Sequence, residues 1–511
     1  MPPVTLYRSA IWEDLITQAQ ASPSRVILRE TSGRSMTYTQ LVESVDQTAV
    51  FFVQQGMRVG DKVMFLAKPT ILGIVHFFAV LRVGGIVVIA DPGMGAEAFG
   101  SRMRLTAPRW VLMDPLLDRI RRFPGIIAFL RKIGSSIPDL RFVEDVAVVR
   151  VQSGHDPVRA DVNDVALGDD RVAVVVFTSG TTQAPKGVAH SYRSLAETLR
   201  IIGSDLAPSR NDVFYASQLY FVFLALLVGA TAIIPTRLRV SSKRLYSSLV
   251  RFGVTKAFGI PREYEEMIPF LVKHKLKLPE HLRVLLLGSA PVVTGFLGRL
   301  SKVIHPTTQV LCVYGSTEIL PISRVSLKEK LAYVGEGDVL GKPFEGIRVE
   351  QGTDGEFLVS GPNLCDAYLG NSDQLRVFLS GDLGKLDAEG NLVLLGRKKD
   401  MIIRKNFNIY PSMFEATISR IKGVKRCAMV GVFSQELSDE IVHLVIEKDS
   451  FMDDVLFREY LNKELLYGPH SIDTHAQPDH INFMDIPIAG RSQKPDKNAL
   501  RKQLTQKPWQ G

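Results

Sequence analysis

Residues Val174 to His190, VVVFTSGTTQAPKGVAH, constrain this chain more than any other stretch. The apolar run Val174 to Val176, continued by Phe177 and Thr178, predicts a buried strand that ends in Ser179, Gly180, Thr181 and Thr182, with Pro185, Lys186 and Gly187 beyond. Strand and loop together have the composition of a phosphate cradle. Gly180 lets the backbone come close to a ligand, the hydroxyls of Thr178, Ser179, Thr181 and Thr182 can donate to phosphate oxygens, and Lys186 adds a point charge. Lys186 sits inside Pro-Lys-Gly rather than in the Gly-Lys-Ser/Thr that opens a helix, so this is not a Walker loop. A polar turn after a strand accounts for any three of these residues but poorly for the whole run.

At 511 residues the chain is too long for one ordinary core, and 46% hydrophobic with 23% charged residues is a globular mixture. A net charge of +9 favours an anionic ligand or membrane surface. Lysine and arginine are spread along the chain without an aromatic-interleaved basic motif, so no nucleic-acid partner is expected. Cys312, Cys365 and Cys427 are far apart, show no metal spacing and fit a reducing compartment. Met1 to Asp14 lacks a long apolar stretch, which makes a cytoplasmic location the default. The longest apolar run, Leu219 to Ile234, is shorter than the roughly 20 residues of a spanning helix and is broken by Gly229 and Pro235. It reads as a buried helix followed by a strand.

Helical spacing covers Tyr38 to Gln55 and Ile71 to Val83, strands cover Val63 to Leu66 and Ile86 to Ile89, and Tyr192 to Leu206 reads as a further helix. Alternating strands and helices predict an α/β layer structure. Leu116 to Ile133 is basic and amphipathic, which suits peripheral contact with an anionic membrane as well as a solvated surface helix. Asp156 to Asp170 is polar and reads as a linker. From Val424 onward the pattern of two strands, a helix to Tyr467 and a strand at Ile481 to Phe483 predicts a separate small α+β domain.

The run TSGTTQAPKG resembles the signature loop of the adenylate-forming superfamily, which includes acyl-CoA synthetases, luciferases and peptide-synthetase adenylation domains; Gln183 stands where a glycine is usual. That resemblance implies a large layered α/β domain over residues 1–396, a hinge at 397–400 with Lys399 near the pivot, and a small mobile α+β domain over 401–511. It also implies that the loop grips the β- and γ-phosphates of ATP. Other segments resemble the family in order. Gly288, Ser289 and Ala290 match a turn that edges the adenine site, although any strand-to-turn junction looks similar. In VLCVYGSTEILP, the residues Tyr314, Gly315, Ser316, Thr317 and Glu318 resemble a motif whose tyrosine stacks on adenine, whose threonine contacts the α-phosphate and whose glutamate helps hold Mg2+. An aromatic face, a hydroxyl and a hard oxygen suit those tasks. Asp382, in Gly-Asp-Leu-Gly, and Arg397, in GRKKD, match ribose contacts. The tail QKPDKNALR resembles the segment that carries the catalytic lysine: Lys494 takes that position by its distances to Asp496, Leu500 and Arg501, Gln493 replaces a glycine, and Lys497 matches a surface position.

What the resemblance implies is a two-step ligase that forms an acyl-adenylate from ATP, Mg2+ and a carboxylic acid, then transfers the acyl group to a thiol, CoA or the arm of an acyl carrier protein. No Asp or Glu occurs between Asp212 and Glu263, where relatives that activate amino acids place an Asp for the substrate ammonium. Apolar residues from Asn211 to Leu224 instead suit an alkyl or aryl acid, expected to be a medium- or long-chain fatty acid. Lys405 and Asn406 occupy the glycine positions that flank the acceptor passage in CoA-using relatives. Two other readings stay open. ADPGMG at Ala90 to Gly95, RFGVTKAFG and YGSTEILP resemble olefin β-lactone synthetases, which close a 3-hydroxy acid on itself without CoA, and Gln183 with Gln493 would also fit a non-catalytic binding relative.

Overall fold

The computed structural model describes residues 3–66, 70–89, 96–114, 118–119, 147–150, 161–177, 186–236, 240–371, 373–404, 407–434, 439–449, 452–489 and 494–506. Runs of β-branched and aliphatic residues form strands buried on both faces, as parallel sheets require. Two large sheets result. In one, the strands Gly187–Ser191, Val172–Phe177, Ile86–Ile89, Lys62–Leu66, Trp110–Met113 and Ala147–Arg150 lie side by side, with Ala367–Tyr368 at the edge. The other has a parallel half, from Val26–Glu30 through Thr231–Ile234, Val213–Tyr215, Lys256–Gly259 and Val284–Leu287 to Gln309–Tyr314. It continues as an antiparallel half that contains Phe378–Leu386 and Leu392–Arg397.

The main core lies between these sheets and is filled by the helices Ala10–Ala21, Tyr38–Gln54, Ile71–Arg82, Tyr192–Leu206 and Leu219–Leu227. Their starts are fixed locally: Ser9 accepts from Trp12 N, Thr37 and Gln40 close a capping box, and Ser191 accepts from Ser194 N. A second core covers the outer face of the parallel half, where the helices Ser242–Arg251, Pro261–Lys273 and Thr294–Leu300 pack. The expected helix at Leu219 is followed by the expected strand Thr231–Ile234, and among the described residues no helix is long and apolar enough to cross a membrane.

The small C-terminal domain is α+β. Val424–Ser434, Asp439–Lys448 and His480–Phe483 form its sheet, with one core on each face. The helix Pro411–Ile418, opened by a proline at its first turn, lies against the strand Leu392–Arg397 of the large domain, where a Cβ on Gly396 would stand 2.9 Å from Tyr410 Cβ. Arg420 Nε also donates to Thr294 Oγ1 across the two domains at 3.0 Å.

The linker expected at Asp156 to Asp170 contains a strand. Val162–Ala166 pairs in parallel with Val4–Arg8, Val4 opposite Val162. All five residues of Val162–Ala166 are exposed, so the segment lacks the hydrophobic alternation that marks a strand. Its Asp164 nevertheless holds the buried guanidinium of Arg82 at 2.8 Å. The basic stretch Leu116 to Ile133 lies outside the described residues, apart from 118–119.

Candidate active site

Parallel strands that end at a common level leave a crevice beyond their carboxyl ends, which is where open α/β sheets bind ligands. In the second sheet Gly259 is the register partner of Leu287 and Leu287 of Cys312, so Gly288 and Tyr314 emerge at one rim. Tyr314 donates from its hydroxyl to Asp382 Oδ2 at 2.6 Å. Asp382 and Arg397 are opposite each other on adjacent antiparallel strands, and Arg397 Nε stands 2.7 Å from Asp382 Oδ1. Arg397 Nη2 also donates to Asp382 Oδ2 at 3.4 Å, whereas the buried Oδ1 meets the guanidinium as an ion pair without a hydrogen bond of its own. Gly381, at φ +68°, supplies the left-handed turn that presents the carboxylate. A buried carboxylate with an acceptor oxygen that has an ionic contact but no hydrogen bond is suited to take vicinal hydroxyls.

Lys494 approaches the same group from the small domain. It pairs with Ala489 in a short hairpin, and Asp496 N donates to Pro487 O at 2.7 Å just beyond it. Burial first, and then the Arg397 guanidinium, pull the Lys494 ammonium down; Asp382 opposes, Lys399 lowers it again, and the result is a pKa of about 8. The structure therefore brings Tyr314, Asp382, Arg397 and Lys494 together, with Lys399 close by. Lys497 corrects its expectation as a surface residue: its side chain is largely buried and its Nζ lies 2.7 Å from Glu415 Oε1. Glu415 Oε1 also accepts from Met429 N at 2.7 Å, so the carboxylate ties the final helix Lys497–Gln506 to the domain core.

Glu318 forms a second polar centre. It is buried, its Oε1 accepts from the Tyr368 hydroxyl and its Oε2 from Ser316 Oγ, each at 3.1 Å, and it has no ion pair among the described residues. A buried carboxylate without a cation fits a divalent ion, and Mg2+ is commonly held by one or two carboxylates together with phosphate oxygens. Lys186 Nζ lies 5.2 Å above the Tyr368 ring, which puts its charge beside this centre.

Three residues here were not singled out from the sequence. His190 Nε2 contacts Thr317 O at 2.8 Å, and burial holds its imidazole below the ordinary value, hence neutral. Asp366 Oδ2 accepts from Ser191 N at 2.7 Å, and Tyr368 braces Glu318. Tyr368 lies on the edge strand beside Gly187–Ser191, with Asp366 just before that strand, a pairing more than 170 residues apart in sequence. His190 closes the signature stretch and was the readable one.

The turn after Val284–Leu287 has Ser289 at φ +64°, a conformation rare for a residue with a side chain, while Ala290 is half-buried. A Cβ on Gly288 would stand 3.3 Å from both Phe258 Cε2 and Val313 O, so glycine permits this close approach. Phe258 in turn stacks on Phe221 at 5.2 Å, making a continuous apolar wall from the turn to the helix Leu219–Leu227. A separate cavity of about 370 Å³ lies between that helix, Tyr192–Leu206 and Ala10–Ala21, away from the Asp382 group. Thr178, Ser179, Gly180, Thr181, Thr182, Lys405 and Asn406 lie outside the described residues, as do Gln183 and Gln493.

The profile of the AMP-binding enzyme family matches residues 15–369. The chain is 26% identical to an olefin beta-lactone synthetase of Stenotrophomonas maltophilia over 446 residues, 78% of this chain and 79% of the relative. It is 27% identical to a feruloyl-CoA synthase of an Amycolatopsis species, over 82% of this chain and 84% of the relative. Among solved structures it is similar to o-succinylbenzoate CoA synthetase from Bacillus subtilis in complex with its acyl-adenylate intermediate, with a TM-score of 0.77, 20% identity, and coverage of 96% of this chain and 97% of the other. That enzyme has also been solved with ATP and a magnesium ion.

Proposed function

The chain belongs to the AMP-binding enzyme family, and on that premise we propose that it is an acyl-CoA synthetase-like ligase that activates a carboxylic acid with ATP and passes the acyl group to a thiol. The observation that carries this reading is the meeting of Tyr314, Arg397 and Lys494 at the buried carboxylate of Asp382, four residues from separate segments. Asp382 and Arg397 hold the ribose, the Tyr314 ring stacks on adenine beside Gly315, and Gly288, Ser289 and Ala290 edge the base. The loop Thr178 to Thr182 and Lys186 grip the β- and γ-phosphates.

In the first step a carboxylate oxygen forms a bond to the α-phosphorus, the bond from that phosphorus to the bridging oxygen breaks, and pyrophosphate leaves with the electron pair. Lys494 and Thr317 meet the charge that builds on the α-phosphate. Mg2+, held by Glu318 and phosphate oxygens, would supply electrostatic relief for the leaving group. Neutral His190 fixes the Thr317 backbone and adds no charge. For the second step the small domain turns about residues 397–400, near Lys399, withdraws Lys494 and admits the acceptor. The short 3-10 turn Lys398–Asp400 between strand and small domain suits such a pivot.

The acid we assign is a medium- or long-chain fatty acid and the acceptor CoA, or a carrier-protein arm of the same thiol chemistry. The wall of Phe221 and Phe258 and the absence of a carboxylate for a substrate ammonium support an apolar acid, and CoA ligases among the relatives support the thiol. A second reading, closure of a 3-hydroxy acid to a β-lactone, is supported by the olefin beta-lactone synthetases among the relatives and by Lys405 and Asn406 in place of glycines. Mass spectrometry of products from a fatty acid and its 3-hydroxy analogue, each with and without CoA, separates the two. Acyl-CoA from the plain acid supports the thiol ligase; loss of water from the hydroxy acid alone, without CoA, overturns it in favour of lactone closure.

A further inference from the structure

The helix Asp454–Tyr467 in the small domain has two apolar faces. Phe457, Leu461 and Leu465 are fully buried on the domain core, as an amphipathic helix requires. Its opposite face ought to be polar, yet Val455, Leu456, Leu466 and Tyr467 lie there and are 63%, 57%, 46% and 83% exposed. Between them are Glu459 and Lys463, neither of which is in an ion pair among the described residues. At 100° per residue all six fall within one third of the helix circumference. A solvated helix that places Glu four residues before Lys gains a modest internal pair, but here the two do not pair, and that explanation leaves the four apolar side chains unaccounted for.

The order of these residues supplies the partner. The stripe is symmetric about Leu461: Val455 and Leu456 lie six and five positions before it, Leu466 and Tyr467 five and six after it, with Glu459 and Lys463 two positions to either side. An antiparallel copy related by a two-fold axis through the level of Leu461 sets Val455 against the other copy's Tyr467 position, Leu456 against its Leu466, and Glu459 against its Lys463, each contact made twice. Opposed helix dipoles favour the same arrangement. We propose that this face joins two copies of the chain in a symmetric dimer. One helix face is smaller than the roughly 800 Å² per partner of a standard interface, so a weak, concentration-dependent dimer is expected, with dissociation in the micromolar range.

Sedimentation velocity of the full chain from about 1 to 500 µM tests the proposal, because a weak interface populates dimer across that range. The expected result is a reversible monomer–dimer equilibrium. Leu456→Asp should leave only monomer, and since Leu456 is solvent-exposed its melting temperature should stay that of the parent. Glu459→Lys or Lys463→Glu alone sets like charges against each other twice and should weaken association about tenfold. Mixing the two single variants should restore it, because each then offers the other opposite charges. A chain that stays monomeric throughout, a dimer indifferent to Leu456→Asp, or a mixture that associates no better than its components would overturn the proposal.

Discussion

Asp382 and Arg397 face each other across neighbouring antiparallel strands, their side chains 2.7 Å apart, and both act on Lys494, whose ammonium is pulled down first by burial and then by Arg397 while Asp382 opposes. Arg397 anchors the carboxylate through Oδ1, which has no hydrogen bond of its own. Its charge also lowers the pKa of Lys494.

Asp382→Asn should raise the apparent KM for ATP at least about tenfold, since a charged acceptor of two hydroxyls is replaced by a neutral one. Steady-state pyrophosphate release against ATP concentration measures this, with the acid saturating. An unchanged KM would remove Asp382 from the nucleotide site.

The charge on Lys494 sets a pH limit. In the proposed mechanism adenylation needs the ammonium, which is present below about 8 in the free chain and lost above it, so kcat/KM for ATP should fall as pH rises through about 8. Bound triphosphate favours the ammonium, so the limb in kcat should lie at higher pH. Lys494→Arg should be slower but should lack the limb, because arginine stays charged throughout. A limb retained in that variant would belong to another group.

Glu415 positions the tail through Lys497. Glu415→Gln keeps the acceptor for Met429 N but weakens the 2.7 Å contact to Lys497, three residues from Lys494. Adenylation should fall several-fold while consumption of supplied acyl-adenylate is unchanged, since in the proposed mechanism Lys494 serves only the first step. Equal loss in both half-reactions would indicate general destabilisation instead.

Much of this was legible in the sequence, and the residues show where legibility stops. Continuous apolar runs marked the strands Val172–Phe177, Val284–Leu287 and Gln309–Tyr314, because a strand buried on both faces has no other composition available. The motifs at Tyr314, Asp382 and Arg397 were readable singly, but not that Asp382 and Arg397 share a register or that Tyr314 bonds to the carboxylate. The strand Val162–Ala166 escaped because its face is solvated, and the Glu415 to Lys497 pair because 82 positions separate its members. Tyr368 and the Asp366 that precedes its strand reach the site through the two-residue edge strand Ala367–Tyr368, too short for any pattern.

Chain length tests the apolar wall of Phe221 and Phe258. Each buried methylene is worth about 0.8 kcal/mol, so kcat/KM should rise roughly fourfold per added carbon until the site is filled. Amino acids should be poorer than their des-amino analogues; the reverse preference would refute an apolar acid site.

Acid-dependent exchange of labelled pyrophosphate into ATP, measured for the parent chain and Lys494→Ala, reports the first step alone and so tests the central claim most directly. The parent chain with a suitable fatty acid should exchange, and Lys494→Ala should lose at least about a hundredfold, since a charge-assisted contact in the transition state is removed. Exchange that needs no acid, or that survives undiminished in Lys494→Ala, would contradict the account.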